Sequence, residues 1–177
     1  MNSNRGELLR QKLTGSARTD RPSLDLSPEG ALLEQIVDPA NLERAWKRVR
    51  RNRGAPGPDG MTIKEFEPWA REHWPTIRRQ LVDGTYQPMP VRRKIIQKEN
   101  GGERLLGIPN VVDRLIQQAI LQVFTPLFDP TFSDSSYGFR PKRSAHGATK
   151  QVQRTIRQGY QHVVDVDLSK FFRPRST

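Results

Sequence analysis

Val91-Arg92-Arg93-Lys94-Ile95-Ile96-Gln97-Lys98, then Glu99-Asn100-Gly101-Gly102, then Glu103-Arg104-Leu105-Leu106-Gly107-Ile108, is the stretch that sets the class of this fold. Two short runs rich in β-branched and apolar residues are separated by four residues of turn chemistry. Asn-Gly between such runs is a strong short-range hairpin signal. Arg92, Arg93, Lys94 and Lys98 on one arm and Arg104 on the other make the expected hairpin a basic β-ribbon.

Upstream of the ribbon the pattern is helical. Ser27-Pro28-Glu29 and Asp38-Pro39 each read as an N-cap followed by a first-turn proline. Leu32, Leu33, Ile36 and Val37 give the first helix its apolar side. Leu42, Ala45, Trp46 and Val49 do so for the second, which Gly54 is expected to stop. Gly54 to Gly60 is dense turn punctuation and reads as a structural loop, because no Gly-Lys-Ser/Thr follows it. Thr62 and Glu65 have the spacing of a capping box. Pro68 and Pro75 are expected to break the helix that box opens, and Gly84 to end it.

Downstream, Asn110 is expected to cap a long helix with the stripe Val112, Leu115, Ile116, Ala119, Ile120, Val123 and Phe124. A loop through Ser135–Pro141 leads to a helix over 145–158, closed by Gly159. Val163-Val164-Asp165-Val166-Asp167-Leu168 then reads as a strand with both aspartates on one face and Val164, Val166 and Leu168 on the other. An aspartate on such a strand is costly unless its charge is compensated, and a metal ion is the usual compensator. The order helices, hairpin, helix, loop, helix, strand is α+β in type.

Composition narrows the function. Thirty Lys and Arg against 19 Asp and Glu leave a formal net charge of +11 on 177 residues, which favours a polyanion as partner. Arg44, Lys47, Arg48, Arg50, Arg51 and Arg53 form one cluster. Between Asp134 and Asp165 there is no acid at all, but six Lys and Arg. There is no Cys, so disulfides and thiolate metal sites are excluded. His73, His146 and His162 form no metal-ligand motif. No apolar run approaches a membrane span and the first residues lack the apolar centre of a secretory signal, so a cytoplasmic protein without a membrane partner is expected. A basic hairpin, basic helices and an aspartate strand together suit nucleotidyl transfer: cations for phosphates, carboxylates for divalent metal.

Four stretches in order resemble the N-terminal half of bacterial group II intron reverse transcriptase/maturases. They are Arg53 to Gly60; Arg104 to Pro109 running on through Asp113 to Ala119; Ser135 to Pro141 with Arg143 and Ser144; and Asp165 to Phe172. The resemblance implies a right-hand polymerase, with 27–160 as fingers, 161–172 as the first palm strand, 1–26 as a mobile extension and 173–177 as an aberrant tail. It implies an RNA-directed DNA polymerase of bacterial cytoplasm that copies intron RNA using dNTPs and Mg2+, engages a DNA primer or target, and assists splicing. Asp167 becomes the first catalytic, metal-binding aspartate, with the Leu168 backbone carbonyl as a further metal contact. Lys98 and Arg104 become the triphosphate grip, and Phe172 the ring that screens the sugar for a 2′-hydroxyl. Tyr137, Gly138, Phe139, Arg140 and Arg143 fall on the template track. Arg48, Arg50 and Arg51 are the RNA contacts expected of the basic N-terminal helices.

Three departures accompany the resemblance. Gln97 stands where the family has Pro, and Leu105 follows Arg104 where Pro is usual. After Phe172 the family continues with Asp and further palm strands, whereas this sequence reads Arg173-Pro174-Arg175-Ser176-Thr177. The expectation is a truncated chain without the Tyr-Ala-Asp-Asp strand, inactive alone unless another chain complements it. The alternative is a non-enzymatic, maturase-like fragment that binds intron RNA.

Overall fold

The computed structural model describes residues 28–97, 99 and 101–166. The sequence expectations for residues 1–26, Lys98, Asp167, Leu168 and Phe172 therefore lie outside the described residues. The chain divides into two units, Met1–Phe128 and Asp129–Thr177.

In the first unit, helix α1 spans Pro28–Ile36 and α2 spans Pro39–Arg51. Asp38 caps α2 as expected: its carboxylate accepts from the N–H groups of Ala40 (2.9 Å) and Asn41 (3.1 Å). Helix α2 ends one residue earlier than glycine placement suggests. Asn52 is its C-cap and Arg53 takes the left-handed turn, with φ 47°. Gly54 serves a different need, since a Cβ there would run into the Arg114 guanidinium.

Helix α3, Ile63–Val82, starts on the expected capping box: Thr62 N–H donates to Glu65 and Glu65 N–H to the Thr62 hydroxyl. Contrary to expectation, Pro68 and Pro75 lie inside one continuous helix. Each removes a ladder donor, leaving the carbonyls of Lys64 and Arg71 without their partner. Both prolines and both of those residues are exposed, so water can satisfy the carbonyls. The opposite side buries Phe66, Ala70, Trp74 and Ile77. Burying the large side chains Phe66, Trp74 and Ile77 stabilises by roughly 1.5–3 kcal/mol each, enough to outweigh a lost bond. Gly84, at φ 67°, reverses the chain after Val82.

Helix α4, Val111–Phe128, is the centre of the unit. Its Val111, Val112, Leu115, Ile116, Ala119 and Val123 join Leu42, Ala45, Trp46 and Val49 of α2 and the buried side of α3 in one core. Phe124, expected in that stripe, is 37% exposed. Strands β1 (Arg92–Gln97) and β2 (Glu103–Ile108) form the expected antiparallel hairpin, turning through Gly101 at φ 80°. The architecture is thus helical with one small antiparallel sheet, α+β.

The second unit opens with a 3-10 turn, Asp129–Thr131, and carries helix α5, Ala145–Arg157. Ser144 caps α5 by accepting from Gly147 N–H (3.2 Å), and Gly159 ends it at φ 95°. Residues 161–166 do not form the expected strand, and Val163, Val164 and Val166 are exposed. Among the described residues β1 and β2 are the only sheet, so this segment has no ladder to join. Among the described residues, no helix is long and apolar enough to cross a membrane.

Candidate nucleic-acid interface

Three sets of cations carry the charge, and their surroundings differ. On α2, Arg44, Arg48 and Arg51 recur at i, i+4 and i+7, so they share one side. Arg44 donates to the Asn41 side chain (3.3 Å), whereas Arg48 and Arg51 are exposed and form no ion pair among the described residues. Arg50 is held elsewhere: its guanidinium lies 3.3 Å from Glu67, which also accepts the Trp46 indole N–H at 2.8 Å. Lys47 pairs with Glu43 at 2.9 Å. Of the three arginines expected on RNA, the fold leaves two free and ties one to α3.

On the hairpin, register decides which cations act together. Arg92 faces Ile108, Lys94 faces Leu106 and Ile96 faces Arg104. Because side chains alternate and cross-strand partners share a side, Arg92, Lys94 and Arg104 lie on one face with Ile96, Leu106 and Ile108. Arg93 lies on the other face with Ile95 and Leu105. The sequence singled out Lys98 and Arg104 but did not separate Arg92 and Lys94 from Arg93. Period two, carried through the Asn-Gly turn, was the signal that could have done so. All three cations of that face are exposed.

The loop before α5 is organised around one guanidinium. Arg140 donates from Nε to Asp129 Oδ1 (2.8 Å) and from Nη2 to the Asp129 carbonyl (2.8 Å). Its Nη1 donates to the carbonyls of Ser133 (2.7 Å) and Ser136 (3.1 Å). The side chain is only 7% exposed and lies 5.5 Å over the Phe132 ring. The hydrogen bond from Arg140 holds the Asp129 carboxyl below its ordinary range, and the same bond raises the guanidinium. Arg143 is similarly engaged, donating to Asp134 Oδ1 (3.1 Å) and to the Asp134 carbonyl (3.0 Å). It also stacks 5.3 Å over Tyr137. Tyr137 packs against Gly147 of α5, where a Cβ would sit 3.1 Å from the ring. Gly138 is exposed and leads to Phe139, which projects fully into solvent from a left-handed backbone at φ 56°. Arg140 and Arg143 thus hold the loop's shape, and Phe139 is the group the loop offers.

Two buried polar groups at the start of α4 hold the neighbouring loops. Asn110 begins α4 through its carbonyl, which accepts from Arg114 N–H. Its side-chain oxygen faces the glycine-rich loop, where Gly57 passes so close that a Cβ would meet the Asn110 backbone at 2.7 Å. Arg114 donates to the Ala55 carbonyl (3.0 Å), fixing the same loop. Asp113 is buried and accepts from the Tyr86 hydroxyl (2.7 Å); burial, then Asp113, pushes that hydroxyl far above its ordinary value. The loop before α3 is therefore structural, as its sequence indicates.

Among the described residues no group of three His, Cys, Asp or Glu gathers. Asp165 is described and exposed at the head of the segment that would lead to Asp167.

Comparison with known proteins gives this arrangement its class. Residues 96–174 match the reverse transcriptase (RNA-dependent DNA polymerase) family, and the chain belongs to it. Its relatives include a group II intron-encoded protein and a nuclear intron maturase. It is 36% identical over 170 residues to protein YkfC of Escherichia coli K12, covering 93% of this chain and 44% of that protein. It is 40% identical over 124 residues to the group II intron-encoded protein LtrA of Lactococcus lactis subsp. cremoris, covering 70% of this chain and 20% of that one. Nuclear intron maturase 2, mitochondrial, of Arabidopsis thaliana is 37% identical over 57 residues, 32% of this chain and 8% of the relative. The chain therefore spans less than half the length of these relatives.

Proposed function

We propose that this chain forms the fingers of a group II intron-type, right-hand RNA-directed DNA polymerase/maturase, gripping intron RNA and the incoming dNTP. The observation that carries the reading is the single hairpin face shared by Arg92, Lys94 and Arg104. A row of exposed cations on a two-stranded ribbon suits a triphosphate or a strand backbone, because it neutralises several phosphates at once. Lys98 and Phe172 complete the nucleotide grip in this reading, and Asp167 with the Leu168 carbonyl is where hard-oxygen coordination suits magnesium. When bound, magnesium there supplies charge stabilisation during in-line displacement. A single carboxylate does not organise a two-metal arrangement, so these 177 residues by themselves are proposed to bind without extending a primer. Arg48 and Arg51 supply phosphate contacts on α2, and Phe139 supplies a ring on which a template base stacks.

The test uses the purified full chain. Fluorescence anisotropy with a group II intron RNA segment is expected to give an affinity whose logarithm falls linearly with log salt. Replacing Arg92, Lys94 and Arg104 by Gln is expected to weaken crosslinking to a photoreactive dNTP by roughly tenfold or more, on the scale of three lost charge-assisted contacts. RNA binding indifferent to salt, or dNTP crosslinking indifferent to those substitutions, overturns the reading. Primer extension on an RNA template with magnesium and dNTPs reads the last part: cDNA made by this chain alone contradicts binding without extension. The non-enzymatic RNA-binding alternative is favoured if RNA binds tightly while no dNTP crosslinks at all.

A further inference from the structure

We propose that Lys150, Arg154 and Arg157 of α5 form an RNA-backbone contact in addition to those proposed for the hairpin and for α2. The inference rests on the RNA-binding reading above and deepens it by naming a surface. At 3.6 residues per turn the three side chains fall within about 60° of the helix circumference and span about 10 Å of its length. All three are exposed, and none forms an ion pair among the described residues.

The neighbouring cations show why this face stands out. Arg140 and Arg143 lie in the same acid-free stretch, but Asp129 and Asp134 engage them. No Asp or Glu occurs from Ser135 to Val164, so no acid within the stretch neutralises the α5 face. Helix-dipole stabilisation accounts for cations in the last turn, where Arg154 and Arg157 sit, but not for Lys150 a turn earlier. No residue of α5 is buried, so the helix is not shaped around a core contact that would dictate this polar face. Three cations spread over about 10 Å can meet several phosphates of one strand at once. An anionic membrane surface is the other polyanion such a helix could meet. The side away from the cations carries only Val152 and Ile156 as large apolar residues, without the Trp, Phe or Leu rows that interfacial helices bury.

The full chain is titrated against fluorescein-labelled single-stranded RNA of mixed sequence between 50 and 200 mM salt. The combined Lys150→Gln, Arg154→Gln and Arg157→Gln variant is expected to lower the salt slope by about 2, at roughly 0.7 per phosphate contact on a single strand. Across that salt range the unaltered chain then loses about 20-fold more affinity than the variant. Lys150→Gln alone, in mid-helix, is expected to lower the slope by about 0.7 with unchanged circular dichroism. The swaps Lys150→Arg, Arg154→Lys and Arg157→Lys keep the charge and should keep the slope. An unchanged slope in the triple variant overturns this inference while leaving the RNA reading intact. No RNA binding by the unaltered chain at 50 mM salt overturns both. Capture by vesicles of anionic phospholipid that is lost in the triple variant, with RNA binding unchanged, replaces the inference with a membrane contact.

Discussion

Phe139 is the residue at which conformation and exposure disagree most with ordinary side-chain physics. A bulky aromatic at φ 56° strains the backbone by roughly 1–3 kcal/mol, and full exposure returns nothing by burial. The strain persists because Arg140, the next residue, fixes the loop through three carbonyls and a carboxylate. Phe139→Gly is therefore expected to raise the stability of the second unit by about 1 kcal/mol in thermal denaturation. It should also weaken RNA binding, by the roughly 1–3 kcal/mol that one stacked base contributes. A variant equally stable and equally tight-binding would make Phe139 an ordinary surface residue. The motif around Phe139 was legible in the sequence. Its left-handed backbone was not, because nothing in Gly-Phe-Arg-Pro announces which of the four residues takes the positive φ.

The clamp that orders the loop before α5 shows what a single ion pair does to an element. Asp129 has its folded pKa lowered from the ordinary 3.8, first by the Arg140 hydrogen bond. A depressed carboxylate contributes stability that is fully present above that ordinary value and is lost as pH falls through the lower, folded one. Acid titration is expected to loosen this loop in that window, followed by the fluorescence of a probe beside Phe132. Asp129→Asn should remove the acid-dependent part, and an acid transition identical in the variant would place its origin elsewhere. Arg140 is nearly buried, but the Asp129 side chain keeps 28% of its surface exposed, so screening keeps the stabilisation modest. Elements also differ in how readable they were. The caps at Asp38 and Thr62, the hairpin and the glycine stops at Gly84 and Gly159 follow from local chemistry. The two prolines of α3 do not, because the burial of Phe66, Ala70, Trp74 and Ile77 outweighs a local penalty.

At the scale of the molecule, the first unit is tied together by Asn41. It is 2% exposed and donates to the carbonyls of Ile36 (3.0 Å) and Ala119 (3.1 Å), while its own oxygen accepts from Gln122 (2.9 Å). One side chain thus joins α1, α2 and α4. Asn41→Ala should cost about 2–3 kcal/mol in urea unfolding, because the Ile36 and Ala119 carbonyls lose a buried donor, while Gln122 keeps the Asn41 backbone carbonyl. A loss below ~0.5 kcal/mol would mean that relaxation or water replaces it. The sequence by itself determined the α+β class, the hairpin, most helix ends, the excess of positive charge and the membership of the reverse transcriptases. Those properties are carried by local propensities, spacings and motif order, which need no long-range contact to be read. Only the tertiary structure decided which cations are free to meet a phosphate. Arg50, Arg140 and Arg143 carry the same charge as Arg48, Arg51 and Arg154, yet carboxylates at Glu67, Asp129 and Asp134 hold them in place. Neutralisation depends on which side chains the fold brings within about 3 Å, and a linear sequence does not contain that distance.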